Sequence, residues 1–303
     1  MAADIVLGNS GVLAPGQYRW ARALGWMCIL AILCVLSFNL AADAILRAAA
    51  AMTGDEFTTR AAAPTSARLA AVIVASITML AAYSLAIHLG ERRSSPELGL
   101  RALIPELAIG IGIGGTLMGM IIAILWVAGW ISISTSPVTA VSESPKLSIQ
   151  SGVIEEVLMR LIIFRLLWRV GGVWPALLIT ALLFGGLHLS NPDASIFAAL
   201  CLVAGEGVGA GLYLLTGRIW ASIGMHAGWN FAQGWLFGSV VSGIDVASSG
   251  PLRTEPVGNI AEMFSGGGFG PESSMAAFGI SLVASAFFLT IAWQHGRFDC
   301  VKG

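Results

Sequence analysis

The feature that most constrains this chain is hydropathy in long, unbroken runs. Eight stretches of about twenty apolar residues fall near 20–41, 69–89, 105–131, 147–168, 173–189, 196–215, 219–240 and 275–293. A helix rises ~1.5 Å per residue, so roughly twenty residues cross a hydrocarbon core ~30 Å thick. The expected fold is therefore all-α: a polytopic membrane protein of about eight transmembrane helices. Composition agrees, with 11% charged residues, 56% hydrophobic residues and a mean hydropathy of +0.83. A soluble domain carries roughly 25% charge.

The breaks between runs give the organisation. Residues 42–67 are expected to form a polar, alanine-rich loop, and 91–97 a charged one. Residues 132–146, rich in Ser, Thr and Pro, lead into the fourth run, and Ser190-Asn191-Pro192-Asp193 makes a tight turn. A long loop at 242–274 contains Gly266-Gly267-Gly268-Phe269-Gly270-Pro271. The division expected from these breaks is a cytoplasmic extension at 1–18, two helices and their loop at 19–90, a larger membrane core at 91–296 and a tail at 297–303. The first 18 residues are mixed and Gly-rich, unlike a cleavable signal. An even number of spans puts both termini on one side, which then holds ten Lys and Arg against five opposite. The positive-inside rule places that side in the cytoplasm. The expected location is integral to a bacterial inner membrane.

Several function classes fall away. A net charge of -1 with no basic tract gives no footprint for nucleic acid. Cys28, Cys34, Cys201 and Cys300 show no C-x-x-C spacing and read as buried small hydrophobes. Pairs spaced G-x-x-x-G, among them Gly110/Gly114, Gly115/Gly119 and Gly224/Gly228, read as sites of close helix packing. Gly110-x-Gly112-x-x-Gly115 looks like a dinucleotide fingerprint but lies within an apolar helix with no strand before it. No internal inverted repeat is visible, which disfavours a transporter.

Inside the fourth run three ionisable residues stand close together, Glu155, Glu156 and Arg160. Each costs roughly 2.5–3.5 kcal/mol at a helix centre unless paired or turned toward a polar cavity. Glu156 and Arg160 are four apart, share a helix face and are expected to form an ion pair. Glu155 is rotated about 100° from Glu156 and lacks that partner. Chemistry is accordingly assigned to Glu155, and scaffolding of the site to Glu156 and Arg160. Two later runs carry polar groups of catalytic type, Phe184-Gly185-Gly186-Leu187-His188 and His226-Ala227-Gly228-Trp229-Asn230. Counted from the ends of their runs, Glu155 lies ~12 Å deep and His226 and Asn230 ~10–17 Å deep from the opposite face. His88 and His295 sit at run ends beside charged segments and read as interfacial.

These groups suit one reaction. A carboxylate in a low-dielectric cavity can act as a general base toward water, and a histidine can orient that water or carry its proton. A second histidine and an asparagine can donate hydrogen bonds to a developing oxyanion. Together they suit amide hydrolysis without a covalent intermediate. No serine stands in a G-x-S-x-G context and no cysteine adjoins a motif histidine, which disfavours a nucleophilic hydrolase. Zinc is the competing version: Glu155 or Glu156 with His188 and His226 would supply two His and one Glu. The H-E-x-x-H signature is absent, and the metal-free version is preferred, with no cofactor.

At these residues the chain resembles the CPBP family of intramembrane proteases, the CAAX-protease and bacteriocin-processing (Abi) family. That family's pattern is E-E-x-x-x-R, then F-x-x-x-H, then H-x-x-x-N/D on successive helices. Glu155-Glu156-x-x-x-Arg160, Phe184-x-x-x-His188 and His226-x-x-x-Asn230 fill it in order, and the similarity covers roughly residues 90–295. Glu97-Leu98-Gly99-Leu100-Arg101 resembles the family's lead into its next core helix. The resemblance implies an endopeptidase cutting a membrane-associated protein or peptide, in some members a lipidated one. It implies that Glu155 and His188 activate water, and that His226 and Asn230 hold the oxyanion. Members are described both as glutamate-type and as metalloproteases. A non-proteolytic scaffold or self-immunity protein that keeps the motifs is the alternative from a different class.

Three further acids were weighed. Glu206, in the sixth run between Gly205 and Gly207, is expected to pair with Arg218 or a motif histidine, or to face a water-filled crevice. Asp245 and Glu272, in the long loop, are expected to be solvated. The Gly-rich segment 267–274 reads as a flexible loop, with substrate gating as the alternative.

Overall fold

The computed structural model describes residues 2–54, 57, 59–138, 143–245, 250–299 and 301–302. The apolar runs become helices. A short strand β1 (Ile5–Val6) precedes α1 (Arg19–Thr53) and α2 (Thr65–Ala86), and α2 widens into a π-helical turn at Ile87–Glu91. Then come α3 (Leu103–Val127), β2 (Ile131–Thr135) and α4 (Glu143–Glu156). A π-helical stretch, Val157–Phe164, joins α4 to α5 (Arg165–Gly171) without a break. The chain continues through α6 (Val173–Leu187), α7 (Ile196–Thr216) and α8 (Trp220–Phe231), which ends in a π turn at Ala232–Leu236. Last are β3 (Leu252–Pro256), a single turn α9 (Glu262–Ser265), α10 (Met275–Gln294) and β4 (Val301–Lys302).

Helix ends follow local chemistry. Ser195 and Ser274 are N-caps whose hydroxyls accept from the N–H of Ala198 and Ala277, satisfying donors the helix cannot. α1 and α7 stop at Gly54 and Gly217, both in the left-handed conformation that glycine adopts without strain.

Among the described residues six helical stretches are long and apolar enough to cross a membrane by length and composition: Arg19–Thr53, Thr65–Glu91, Pro96–Val127, Val173–Ser190, Ile196–Thr216 and Met275–Gln294. The protein is a polytopic all-α membrane protein. The expected runs at 147–168 and 219–240, which are not among the six, are those that carry the first and third motifs. α8 packs against α3, α4 and α7. Helices enclosed by other helices can carry polar groups that lipid-facing ones cannot. The outward faces of α1, α6 and α10 instead present large apolar side chains such as Ile32, Leu36, Leu178, Leu182, Val283 and Phe287.

Small residues set the spacing of the inner layer. Cβ atoms added at Gly110 and Gly114 of α3 would collide with the α8 backbone. Gly224 and Gly228 of α8 meet the α3 backbone at Leu107 and Ile111 in the same way. Four glycines thus let two helices approach backbone to backbone, the packing expected where lipid supplies no hydrophobic drive. Gly115 has no neighbour within 4 Å and Gly119 only the far end of Phe237, so that pair does not serve this purpose.

Several expected boundaries shift. α1 runs on to Thr53, so the first part of the expected 42–67 loop is helical. α3 stops at Val127 rather than 131, because the chain turns at Gly129 and pairs Ile131–Thr135 antiparallel with Leu252–Pro256. The seventh run's helix ends at Leu236. Cys34 and Cys201 are buried as expected, but Cys28 is exposed on α1 and Cys300 lies outside the described residues.

The segment before α1 is folded against the bundle. Its Ile5, Leu7 and Leu13 are buried, and β1 pairs in parallel with β4, so the two ends of the chain lie side by side. Under this segment the charged stretch expected at 91–97 is largely interior. Glu91 and Arg165 are fully buried and joined through two hydrogen bonds of 2.9 and 2.6 Å, and the Arg165 guanidinium also donates to the Leu7 carbonyl at 3.1 Å. Glu97 takes hydrogen bonds from Arg93 and from the Tyr83 hydroxyl. A bidentate Arg–carboxylate pair is the geometry that makes burial of both charges tolerable. Arg165 is therefore a core residue.

Candidate active site

The helical rotation separates the two glutamates as expected. Glu156 is 1% exposed and turned into the bundle, whereas the Glu155 side chain keeps 29% exposure. Arg160, one turn on and inside the π-helical stretch, lies 3.1 Å from Glu156 through Nε. Such π segments recur where a helix carries function, because the extra residue re-aims the side chains that follow. Another begins one residue after α8, just beyond Asn230.

Arg160 has a second carboxylate. Its guanidinium donates to Glu206 of α7, which corrects the expected Arg218 pairing; Arg218 instead donates to Glu106 of α3. The approach of α7 is permitted by Gly209, where an added Cβ would fall 3.0 Å from Arg160 Cζ. Glu156, Arg160 and Glu206 thus form a buried acid–base–acid row. One guanidinium serves two carboxylates.

The histidines complete the cluster. His226 uses Nδ1 toward Glu156 Oε1 at 3.0 Å, which leaves its Nε2 toward Glu155 Oε2 at 3.6 Å. His188, in the short turn closing α6, uses Nδ1 toward the Phe184 carbonyl at 2.8 Å. A carbonyl only accepts, so that Nδ1 carries its proton. The His188 Nε2 then faces Glu155 Oε2 at 3.9 Å. Both distances exceed a direct hydrogen bond but match a water bridging the groups. The three motifs are brought to one point: Phe184 packs its ring on His188 and sets its edge to His226, with centroids 4.7 and 6.1 Å apart.

Asn230 lies one turn beyond His226 and donates its amide to the Ser151 hydroxyl at 2.8 Å. Ser151 was not singled out in the sequence, although it stands four residues before Glu155 and so shares its helix face. A cavity of about 70 Å³ opens here, bounded by Glu156, His188, Glu206, His226, Asn230 and Glu272. A single water needs about 10–15 Å³ on this scale, so several fit. Glu272 is a correction: expected to be solvated, it is 4% exposed. Its carboxylate accepts from the Trp229 indole at 3.2 Å and from the N–H and hydroxyl of Ser242 at 2.7 Å each. The Gly-rich segment before it is also packed inward, with Phe269 only 2% exposed. Asp245, by contrast, is exposed.

Among the described residues no group of three or more His, Cys, Asp or Glu side chains is gathered closely enough to hold a metal ion as placed. The two imidazole Nε2 atoms nevertheless face Glu155, the set that would hold a zinc ion if one were bound.

The fold and this cluster define a class: a polytopic helical membrane protein with a small internal cavity whose lining includes three glutamates, two histidines, an arginine and an asparagine. Residues 137–232 match the family model of type II CAAX prenyl endopeptidase Rce1-like proteins. That segment contains all three motifs, and the match accords with the resemblance to the CAAX-protease (CPBP) family. No curated protein and no solved structure matches the chain. The family supports a CAAX-type intramembrane endopeptidase in general, a peptidase acting on peptide or protein substrates in the membrane.

Proposed function

We propose that the protein hydrolyses a peptide bond of a membrane-associated protein or peptide with water activated by Glu155. The observation that carries this reading is the convergence of His188 and His226 on Glu155 Oε2, each ring fixed from behind through Nδ1. A water seated among these three groups gives its proton to Glu155 and attacks the scissile carbonyl, while His188 Nε2 accepts from it and holds it in line. His226 acts as the doubly protonated ring. Its Nδ1–H is committed to Glu156, whose negative charge sustains the imidazolium, and its Nε2–H meets the oxyanion together with the Asn230 amide. Glu155 then passes its proton to the leaving amine. Glu156, Arg160 and Glu206 act by holding His226 in this orientation.

A second, apolar cavity of about 540 Å³ lies on the far side of Arg160 and Glu206, lined by Phe164, Leu178, Leu200, Val203, Phe278 and Leu282. It supports a substrate that arrives within the bilayer, including a lipidated one. On this reading the termini face the cytoplasm of a bacterial inner membrane.

Glu155→Gln removes the base and keeps the shape. Purified in detergent, the variant is expected to lose cleavage of membrane peptides by at least ~10²-fold, the low end for general-base catalysis, while still inserting in the membrane. Wild-type turnover by this variant sinks the mechanism. Identical membrane-peptide termini in cells carrying either form favour the non-proteolytic scaffold. Full activity of the wild type in strong chelator is expected; loss of activity that returns with zinc replaces this mechanism by the version with Glu155, His188 and His226 as ligands.

A further inference from the structure

We propose that Glu272 is a positioning residue that fixes the wall of the catalytic cavity and thereby sets how tightly a peptide binds there; this rests on the proteolytic reading above. The chemistry proposed for the site makes no use of Glu272, and no motif includes it. Yet it is a carboxylate buried to 4% exposure at the edge of the same cavity as His226 and Asn230. A buried carboxylate is strongly unfavourable unless its oxygens are met by donors. Here both are: Oε1 takes the N–H and the hydroxyl of Ser242, and Oε2 takes the Trp229 indole.

The donors reveal what is being held. Trp229 adjoins Asn230 on α8, so one oxygen of Glu272 is tied to the helix that carries two site residues. Ser242 has φ 49°, a conformation uncommon outside glycine. It is secured on one side by Glu272 and on the other by the Asn191 amide, which donates to its carbonyl at 3.0 Å. Asn191 is three residues beyond His188, so the same contact reaches the turn that presents the second site helix. Gly243 then donates to the Phe269 carbonyl at 2.9 Å, joining this turn to the Gly-rich segment that delivers Glu272. One carboxylate therefore links the His188 turn, the Asn230 helix and the chain that closes the cavity between them. Three donors fill most of a carboxylate's roughly four acceptor sites, so Glu272 acts through Ser242 and Trp229 rather than on the substrate.

The test is Glu272→Gln in the purified full-length protein, with a fluorogenic membrane peptide as the probe. The amide turns an N–H₂ toward groups that are themselves donors. The expected result is a KM raised about tenfold or more with kcat within about threefold. Backbone amides at 240–245 and 265–274 are expected to exchange with solvent at least tenfold faster. Ser242→Ala, which leaves the carboxylate buried with its indole partner, should shift KM the same way by less, and the double variant should be no worse than Glu272→Gln alone. An unchanged KM, a fall in kcat alone, or additive effects overturn the proposal. Unchanged exchange overturns it whatever cleavage does, whereas failure of the wild type to cleave at all counts against the proteolytic reading and not against the wall.

Discussion

Gly209→Ala adds one methyl group, at a position where the buried row leaves no room for it. The ideal Cβ falls 3.0 Å from Arg160 Cζ and 3.1 Å from Nε, with a terminal guanidinium nitrogen closer still. Carbon contacts settle near 3.5–4.0 Å, so Arg160 or α7 must move by roughly 0.5–1 Å. Arg160 cannot swing free, because it is 2% exposed and held between Glu156 and Glu206. The displacement passes through Glu156 to the His226 ring 3.0 Å away. Misplacing a catalytic group by about 1 Å costs on the order of 10²-fold in rate, or about 2.7 kcal/mol of barrier. Stability should change less. Overpacking costs about 1–3 kcal/mol, and alanine in place of glycine within a helix returns about 0.5–1 kcal/mol. Turnover and thermal unfolding of the purified variant in detergent give both numbers. Gly112→Ala on α3 is the control, since nothing lies within 4 Å of its added Cβ; it should leave turnover unchanged and raise stability by about 0.5–1 kcal/mol. Wild-type turnover in Gly209→Ala would refute the role given to the Arg160 row in orienting His226.

Asn230→Ala should lower kcat by about 10²–10³-fold with little change in KM, as expected for one oxyanion donor; a rise in KM alone, measured with the same peptide, would remove it from that role. Arg165→Leu leaves Glu91 buried and short of two hydrogen bonds, which should cost about 3–5 kcal/mol of stability. Chemical unfolding in detergent checks this, and adding Glu91→Leu should recover part of the loss.

Much of the fold was legible because a membrane protein writes its helices as apolar runs. The site's membership was legible for the same reason: ionisable groups are rare in such runs, so Glu155, Glu156, Arg160, His188, His226 and Asn230 stood out against leucine and alanine. Helical periodicity also separated the two glutamates before any coordinates, since 100° of rotation suffices to turn Glu155 and Glu156 to different neighbours. Glu272 was missed because a carboxylate in a polar, Gly-rich loop carries no such contrast. Loop composition does not reveal that the loop folds inward. Glu91 was misjudged by the same rule, as a charged residue between two runs looks solvated until the segment before α1 is seen to cover it.

What the sequence determined by itself is the class of structure and the chemical inventory of the site, because both follow from the cost of polar groups in hydrocarbon. Which partners those groups take was decided only in three dimensions. Glu206 took Arg160 and not the nearer-in-sequence Arg218 because Gly209 lets α7 approach that guanidinium. Ser151 became a neighbour of Asn230 because Gly152 lets α4 lie close against α8, and Glu272 met Trp229 because its loop folds inward. Close packing is a property of facing surfaces, and one strand of sequence shows only one face at a time.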